Sequence, residues 1–209
     1  MADISFAAVE QTFRGRTILG PIDAVLTAGT VTVVTGENGS GKSTLLKLAG
    51  RLLLPTKGAV TVQACGREIS GAALRAELAL LTPELRFYPR LTAKENLQFL
   101  LGLRGITLAA EQFSALLERV GLPERTVKNA YAGEFSTGMR QRLKLAVLLA
   151  SGAHIWLLDE PGANLDQAGR ALILREARQA AAEQRLVLWA TNDSREEGAA
   201  DACIHLSGD

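Results

Sequence analysis

The sequence predicts an α/β fold with a mostly parallel sheet and a helical segment inserted in the middle of the chain. Two uninterrupted apolar runs of strand length, residues 154–159 and 186–191, are typical of strands that helices cover on both faces. Strand and helix patterns alternate at both ends of the chain, as they do in parallel α/β cores. We therefore predict a core of residues 1–84 and 151–209 and a helical subdomain of residues 85–150, within one domain.

The remaining predicted strands are short runs that are rich in β-branched and apolar residues. They cover residues 4–9, 31–35 and 59–62. Helices are predicted over residues 45–53, 109–122 and 170–184. In the second of these helices, apolar residues recur at every third and fourth position, so that one face is apolar.

Charge and cysteine usage narrow the expected partners and compartment. A formal net charge of +1 gives no reason to expect a polyanion, so no nucleic-acid partner is predicted. Cys65 and Cys203 lie far apart and without metal-ligand spacing, which favours two buried thiols in a reducing compartment. No apolar run is long enough to span a bilayer and no signal-peptide pattern opens the chain, so we expect a cytoplasmic protein.

The most specific motif is GENGSGKST, residues 36–44, which satisfies G-x-x-x-x-G-K-[ST] between a predicted strand and a predicted helix. Its glycines permit unusual backbone angles, and consecutive N–H groups at the helix N-terminus form an anion-binding nest. Lys42 is expected to bridge the β- and γ-phosphates, and Ser43 to place its hydroxyl on Mg²⁺. The predicted nucleotide-binding residues of this loop are Glu37, Asn38, Gly39, Ser40, Gly41, Lys42, Ser43 and Thr44.

A pair of carboxylates completes the predicted phosphate site. The apolar run 155–159 ends in Asp159, where a parallel core brings a carboxylate beside the loop to hold Mg²⁺. Glu160 follows at once and is placed to polarise an attacking water, which makes it the candidate general base. Together with GENGSGKST, this pair predicts a P-loop NTPase.

Four further features carry a family resemblance. Residues 135–142, FSTGMRQR, resemble the signature sequence of the ABC (ATP-binding cassette) ATPases, and residues 163–166, ANLD, resemble their D-loop. Residues 91–97, LTAKENL, resemble the helix start after their Q-loop, and Phe13 stands where the family has an aromatic residue that stacks on adenine. The resemblance spans about residues 3–207 and implies a RecA-like core with N-terminal antiparallel strands and an inserted helical subdomain.

The resemblance also implies ATP and Mg²⁺ as cofactors and a head-to-tail dimer that closes on them. Ser136 and Gly138 stand at the start of a predicted helix, so a hydroxyl, backbone amides and the helix dipole face one point. In the family, this signature of one chain caps the γ-phosphate that the P-loop of the other chain holds. A symmetric homodimer is the simpler expectation, while pairing with a different cassette stays open.

Three departures from the family pattern bear on hydrolysis. The signature has Thr137 and Met139 where the family usually has glycine and glutamine. No glutamine stands at the Q-loop position, where Glu84 is the candidate to approach Mg²⁺. Asn192 replaces the switch histidine, and its amide can donate to the γ-phosphate but cannot become cationic. We expect secure ATP binding and slow hydrolysis. The predicted catalytic residues are Glu160, Asn192 and Lys42.

The resemblance implies an ATP-hydrolysing subunit of an ABC transporter that drives a separate membrane permease. Such a subunit is peripheral on the inner face of the cell membrane, and its compact size resembles the haem-exporter and cytochrome c biogenesis group. In the family, a permease helix docks near residues 80–90, where Phe87 and Tyr88 are expected to be exposed and are candidate contacts. The equal alternative is that both rings pack into a small satellite core. The alternative is a non-transport ABC ATPase that acts as an ATP-gated mechanical regulator of a membrane complex. A small P-loop kinase is disfavoured, because it would lack the signature and the D-loop.

Overall fold

The computed structural model describes residues 1–207 of the chain. The strands are β1 (Ala2–Phe13), β2 (Arg16–Leu26), β3 (Val31–Gly36), β4 (Lys57–Ala64), β5 (Arg67–Glu68), β6 (Leu78–Leu81), β7 (Ile155–Asp159), β8 (Leu186–Ala190) and β9 (Ala202–Leu206). The α-helices are α1 (Lys42–Ala49), α2 (Gly71–Glu77), α3 (Ala93–Gly102), α4 (Ala110–Arg119), α5 (Glu124–Val127), α6 (Thr137–Ala150) and α7 (Gln167–Ala182).

One sheet is antiparallel and has the order β2-β1-β4-β5. Its centre is β1, in which Ile4 is fully buried and lies opposite Leu26 on one side and Val62 on the other. The sequence reading predicts β1 and β4 but misses β2, because β2 contains Gly20 and Pro21 and buries few of its side chains. Such a strand lacks the apolar run by which the other strands are recognised.

The second sheet has the order β6-β7-β8-β3-β9, and its pairs β7/β8, β8/β3 and β3/β9 are parallel. Every residue of β7 and β8 is buried, as expected for strands that are covered on both faces. The α/β prediction, with a parallel sheet and N-terminal antiparallel strands, is therefore confirmed. The carboxyl ends of β3, β7 and β8 meet at the same edge, and this edge carries the candidate site.

The chain folds into two compact units. The core unit comprises Met1–Leu80, Ala153–Pro161 and the chain from Glu176 onward. The helical unit comprises Leu81–Gly152 and Gly162–Arg175, so it also contains the D-loop residues and the start of α7. The predicted boundaries at residues 84 and 150 did not anticipate that second segment, and the domain assignment stays a prediction.

Two details differ from the sequence-based expectations. The first helix covers Lys42–Ala49 instead of residues 45–53, because Gly50 caps its last carbonyls. The prediction of buried thiols is wrong, since Cys65 and Cys203 are both exposed. Cys65 lies in the turn between β4 and β5, and Cys203 lies on the edge strand β9, where few neighbours cover it. Within residues 1–207, no helix combines the length and the hydropathy that a membrane span requires.

Candidate functional site

The loop between β3 and α1 takes a conformation that requires glycine. Gly36, Gly39 and Gly41 have φ angles of 150°, 87° and 95°, in the region that side chains disfavour. A Cβ atom on Gly36 would lie 2.4 Å from the carbonyl oxygen of Leu206, and one on Gly41 would lie 2.6 Å from a methyl group of Leu19. The glycines thus let the main chain turn back tightly against its neighbours, with the α1 N-terminus facing the turn.

Lys42 lies inside this loop. Its side chain is buried, with 6% of its surface exposed, and its Nζ donates to the carbonyl oxygens of Gly36 at 2.8 Å and Glu37 at 2.9 Å. A buried ammonium needs such acceptors. The Ser40 hydroxyl is also buried and has no hydrogen-bond partner among the described residues. Because buried polar atoms are rarely left without a partner, this hydroxyl fits an acceptor supplied by a ligand such as a phosphate oxygen.

The structure brings Ser43 and Asp159 together. Ser43 is the second residue of α1 and Asp159 is the last residue of β7, and the serine Oγ donates to Asp159 Oδ1 at 3.0 Å. Asp159 is 5% exposed. A hydroxyl and a carboxylate are the hard oxygen ligands that Mg²⁺ prefers, so this donor set fits the predicted ion.

Glu160 follows in a strained backbone conformation. Its φ angle is 48°, and its N–H donates to the carbonyl oxygen of Ala190 at 2.9 Å, which joins the ends of β7 and β8. Burial raises the pKa of the Glu160 carboxyl above its usual range. The backbone N–H of Asn192 and the positive charge of Lys42 oppose this rise without cancelling it. A carboxyl with a raised pKa, on a strained residue beside the loop, has the character of a general base.

Asn192 lies at the rim of the same loop. Its Nδ2 donates to Asn38 Oδ1 at 3.4 Å, and both side chains line an open depression of about 560 Å³. His205 lines this depression too, and its Nδ1 shares a hydrogen bond of 2.6 Å with the Thr35 hydroxyl. No motif in the sequence marks His205 as part of this site. Only the parallel pairing of β9 with β3 brings it to the loop.

Phe13 is the last residue of β1 and is 44% exposed. An exposed ring at this place has a face available for stacking. Its contact with adenine stays a prediction.

In the helical unit, the signature residues begin α6. Ser136 is the N-cap residue, and its Oγ accepts the N–H of Met139 at 3.1 Å. The donor in this cap is the main-chain N–H of Met139, which does not depend on the side chain. Methionine in place of the usual glutamine therefore leaves the cap intact. A Cβ atom on Gly138 would lie 3.5 Å from the carbonyl oxygen of Asn164. The signature and the D-loop are therefore neighbours within this unit.

Glu84 and the candidate permease contacts also belong to the helical unit. Glu84 is exposed, and its carboxylate accepts a hydrogen bond from the Thr82 hydroxyl. Its approach to Mg²⁺ stays a prediction. Tyr88 is 51% exposed, as expected, whereas Phe87 is half-buried, so the expectation of two exposed rings is wrong for Phe87. The ring beside Tyr88 is that of Phe99, which the sequence reading did not single out.

Comparisons with known proteins agree with these features. Residues 19–163 match the family model described as ABC transporter. The chain is 34% identical over 195 residues to the ABC transporter ATP-binding protein YbhF of Escherichia coli, which covers 91% of this chain and 33% of that protein. The chain thus spans about a third of the length of this relative.

A second relative is the cytochrome c biogenesis ATP-binding export protein CcmA of Xanthomonas axonopodis pv. citri. It is 36% identical over 177 residues, which is 83% of this chain and 76% of that protein. The structure described as the dimeric bacterial ABC transporter cassette MJ0796 has a TM-score of 0.83 and 25% identity. It covers 98% of this chain and 94% of its own. The predicted P-loop NTPase fold and the resemblance to the cytochrome c biogenesis group are confirmed.

Proposed function

The chain belongs to the ABC transporter family of ATP-binding proteins, and from this premise we propose that it binds and hydrolyses Mg-ATP to drive a membrane permease. The observation that carries the proposal is the contact of Ser43 Oγ with Asp159 Oδ1 at 3.0 Å, with Glu160 next in the chain. A phosphate cradle, a metal-binding oxygen pair and a candidate base thereby meet at the edge of one sheet.

Each residue has a distinct task in this proposal. The loop N–H groups, the Ser40 hydroxyl and Lys42 bind the phosphates, while Ser43 and Asp159 hold Mg²⁺. The ion, when bound, neutralises charge on the β- and γ-phosphates. Glu160 accepts the proton of the attacking water, so that ADP and inorganic phosphate result.

Asn192 is assigned the task of the usual switch histidine. Its amide is held at the loop rim by Asn38 and can donate a hydrogen bond to the γ-phosphate. It cannot carry the positive charge of a protonated histidine, and we therefore propose slow turnover in the isolated chain.

The signature residues are assigned to a second subunit's nucleotide. Ser136 caps α6, a helix of 14 residues, so a hydroxyl and the positive end of a helix dipole are available to an anion. We propose that two copies pair head to tail, each α6 N-terminus closing over the ATP of the other copy. The dimeric state described for the MJ0796 cassette supports this assembly.

We further propose that the permease binds the helical unit around Tyr88. Tyr88 meets Phe99 edge to face with a centroid distance of 4.9 Å, and Leu103, one turn further along the chain, is 73% exposed. Such an apolar surface suits a short amphipathic helix. The chain would then be peripheral to the inner face of the membrane. The alternative of a non-transport mechanical regulator is not favoured, because one relative is named as part of an ABC transporter and the other as an export protein.

The test combines oligomeric state with turnover. Glu160→Gln is examined by light scattering with and without Mg-ATP, and both the variant and the unchanged protein are assayed for phosphate release. The proposal expects ATP-dependent dimers of the variant and measurable turnover of the unchanged protein. Turnover that is equal in both proteins contradicts the role of Glu160, and a monomer at saturating Mg-ATP contradicts the homodimer.

A further inference from the structure

The segment of residues 82–91 is held at both ends by buried polar side chains. At its start, Lys144 of α6 donates from Nζ to the carbonyl oxygens of Thr82 at 2.9 Å and Pro83 at 3.0 Å. Lys144 is 8% exposed, and it lies in the helical unit together with the segment. The link is therefore internal to one compact unit.

Asn96 of α3 holds the other end of the segment. It is fully buried, and its Oδ1 accepts the Tyr88 N–H at 2.8 Å. Its Nδ2 lies within 3.1 Å of three carbonyl oxygens, those of Tyr88, Leu91 and Thr92. Across residues 82–91, six of the ten side chains are exposed. The segment is thus an exposed surface on a main chain that α3 and α6 fix in place.

The two hydrogen bonds of Lys144 depend on an ammonium group that is largely shielded from water. Burial is the main cause that lowers the pKa of its ammonium group, and the charges of Arg86 and Arg140 act in the same direction. Glu84 acts in the opposite direction. A buried cation is retained only where its hydrogen bonds are made, so the two carbonyl oxygens and the ammonium hold each other in position.

Lys144 stands on the helix whose first residues carry the signature. Ser136 precedes Lys144 by eight positions, which is about 12 Å along a straight helix. A shift of the α6 N-terminus therefore moves Lys144, and Lys144 moves the start of the segment that leads to Tyr88. No motif of the sequence marks this residue.

We propose that Lys144 is a positioning residue that couples nucleotide capping at the α6 N-terminus to the position of segment 82–91. This inference rests on the proposed function, because it requires that Ser136 and Gly138 close over the ATP of a second copy. The partner surface around Tyr88 then reports whether nucleotide is sandwiched. Asn96 keeps the far end of the segment attached to α3, so the segment shifts as one body.

Hydrogen exchange of the chain of residues 1–209 tests the coupling. The main-chain amides of residues 84–88 and 90–92 are followed with and without Mg-ATP in Glu160→Gln protein that carries either Lys144 or Lys144→Met. Methionine keeps the length and apolar stem of lysine but removes its donors. Lys144→Arg restores charge and donors, and Lys128→Met removes an exposed lysine from the same unit as a matched control.

We expect Lys144→Met to form the ATP-dependent dimer, to exchange these amides at least tenfold faster without nucleotide, and to lose the change that Mg-ATP causes. Lys144→Arg and Lys128→Met are expected to keep that change. An unaltered ATP response in a dimeric Lys144→Met protein overturns the coupling and leaves the proposed function intact. If no variant dimerises with Mg-ATP, the sandwich itself fails and the coupling falls with it. Lys144→Gln repeats the measurement if thermal unfolding shows that methionine disrupts the fold.

Discussion

Ser43 and Asp159 are joined by a hydrogen bond of 3.0 Å, although 116 positions separate them in the chain. The bond connects the first turn of α1 with the last residue of β7. It brings a hydroxyl and a nearly buried carboxylate together at the point where the phosphate-binding loop ends.

Asp159→Asn keeps the shape of the side chain and removes the charge that Mg²⁺ requires. We expect the affinity for Mg-ATP to fall about tenfold, which corresponds to about 1.4 kcal/mol. Binding of ATP in the presence of EDTA is expected to stay within about twofold, because that measurement lacks the ion. Titration calorimetry with and without Mg²⁺ measures both affinities. An undiminished gain in affinity on adding Mg²⁺ would show that another residue holds the ion.

Gly41→Ala is expected to destabilise the fold more than a glycine substitution in open space. Gly66→Ala is the matched control, because Gly66 also has a positive φ angle, 74°, with no atom within 4 Å of an added Cβ. The control loses about 1 kcal/mol of unfolding free energy from backbone strain alone. Gly41→Ala adds the clash with Leu19 and loses about 2 kcal/mol more. Urea unfolding without nucleotide compares them, and equal losses would mean that the loop relaxes freely.

The raised pKa of Glu160 predicts a pH-dependent effect on stability. A carboxyl group whose pKa is higher in the folded chain than in the unfolded chain, where it is near 4.5, stabilises the fold at pH values below 4.5. This stabilisation is lost as the pH rises through the pKa of the folded chain. Glu160→Gln is therefore expected to unfold at a higher temperature than the unchanged protein at pH 7. The difference should disappear near pH 4. Melting curves in EDTA without nucleotide provide the measurement, and a difference that grows toward acid contradicts the direction of the shift.

Asp201 predicts the opposite dependence. Its Oδ2 accepts the N–H of Val31 at 2.8 Å and its Oδ1 accepts from Arg178 at 2.7 Å. The hydrogen bond to Val31 is the main cause that lowers the Asp201 pKa from its usual 3.8. Its stabilisation is therefore present above pH 3.8 and lost as pH falls through the lower folded value.

Asp201→Asn is expected to lose about 1 kcal/mol of unfolding free energy at pH 7 and little at pH 2. Glu118→Gln, which neutralises an exposed carboxylate on α4, is the control. Chemical denaturation at both pH values measures the loss. A loss that is the same at pH 2 would assign the effect to side-chain packing instead of charge.

The strands that are most readily predicted from the sequence are those that their neighbours bury completely. β7 and β8 are buried along their whole length, so their residues form uninterrupted apolar runs. β2 was missed because it buries few side chains and contains Gly20 and Pro21, and β6 was missed because four apolar residues are too short a run to be recognised. The place of β9 in the sheet also came only from the structure, since its pairing with β3 puts His205 beside the loop.

The residues around the candidate site likewise include some that the sequence predicts and some that it does not. The loop of residues 36–44 and the pair Asp159-Glu160 are recognisable because local chemistry dictates residue type: glycine for positive φ, and carboxylates at a strand end. Lys144 follows no such local rule. It bonds main-chain carbonyl oxygens that any residue type presents, so the sequence holds no sign of its partner.

By itself, the sequence determined the fold class, the phosphate-binding loop and the identity of the family, because these rest on spacing and on residue types within short segments. The tertiary structure alone decided that Ser43 meets Asp159, that burial raises the pKa of Glu160, that both cysteines are exposed and that Lys144 holds the start of segment 82–91. These features depend on which distant segments exclude water from one another, and burial of that kind is a property of the packed chain.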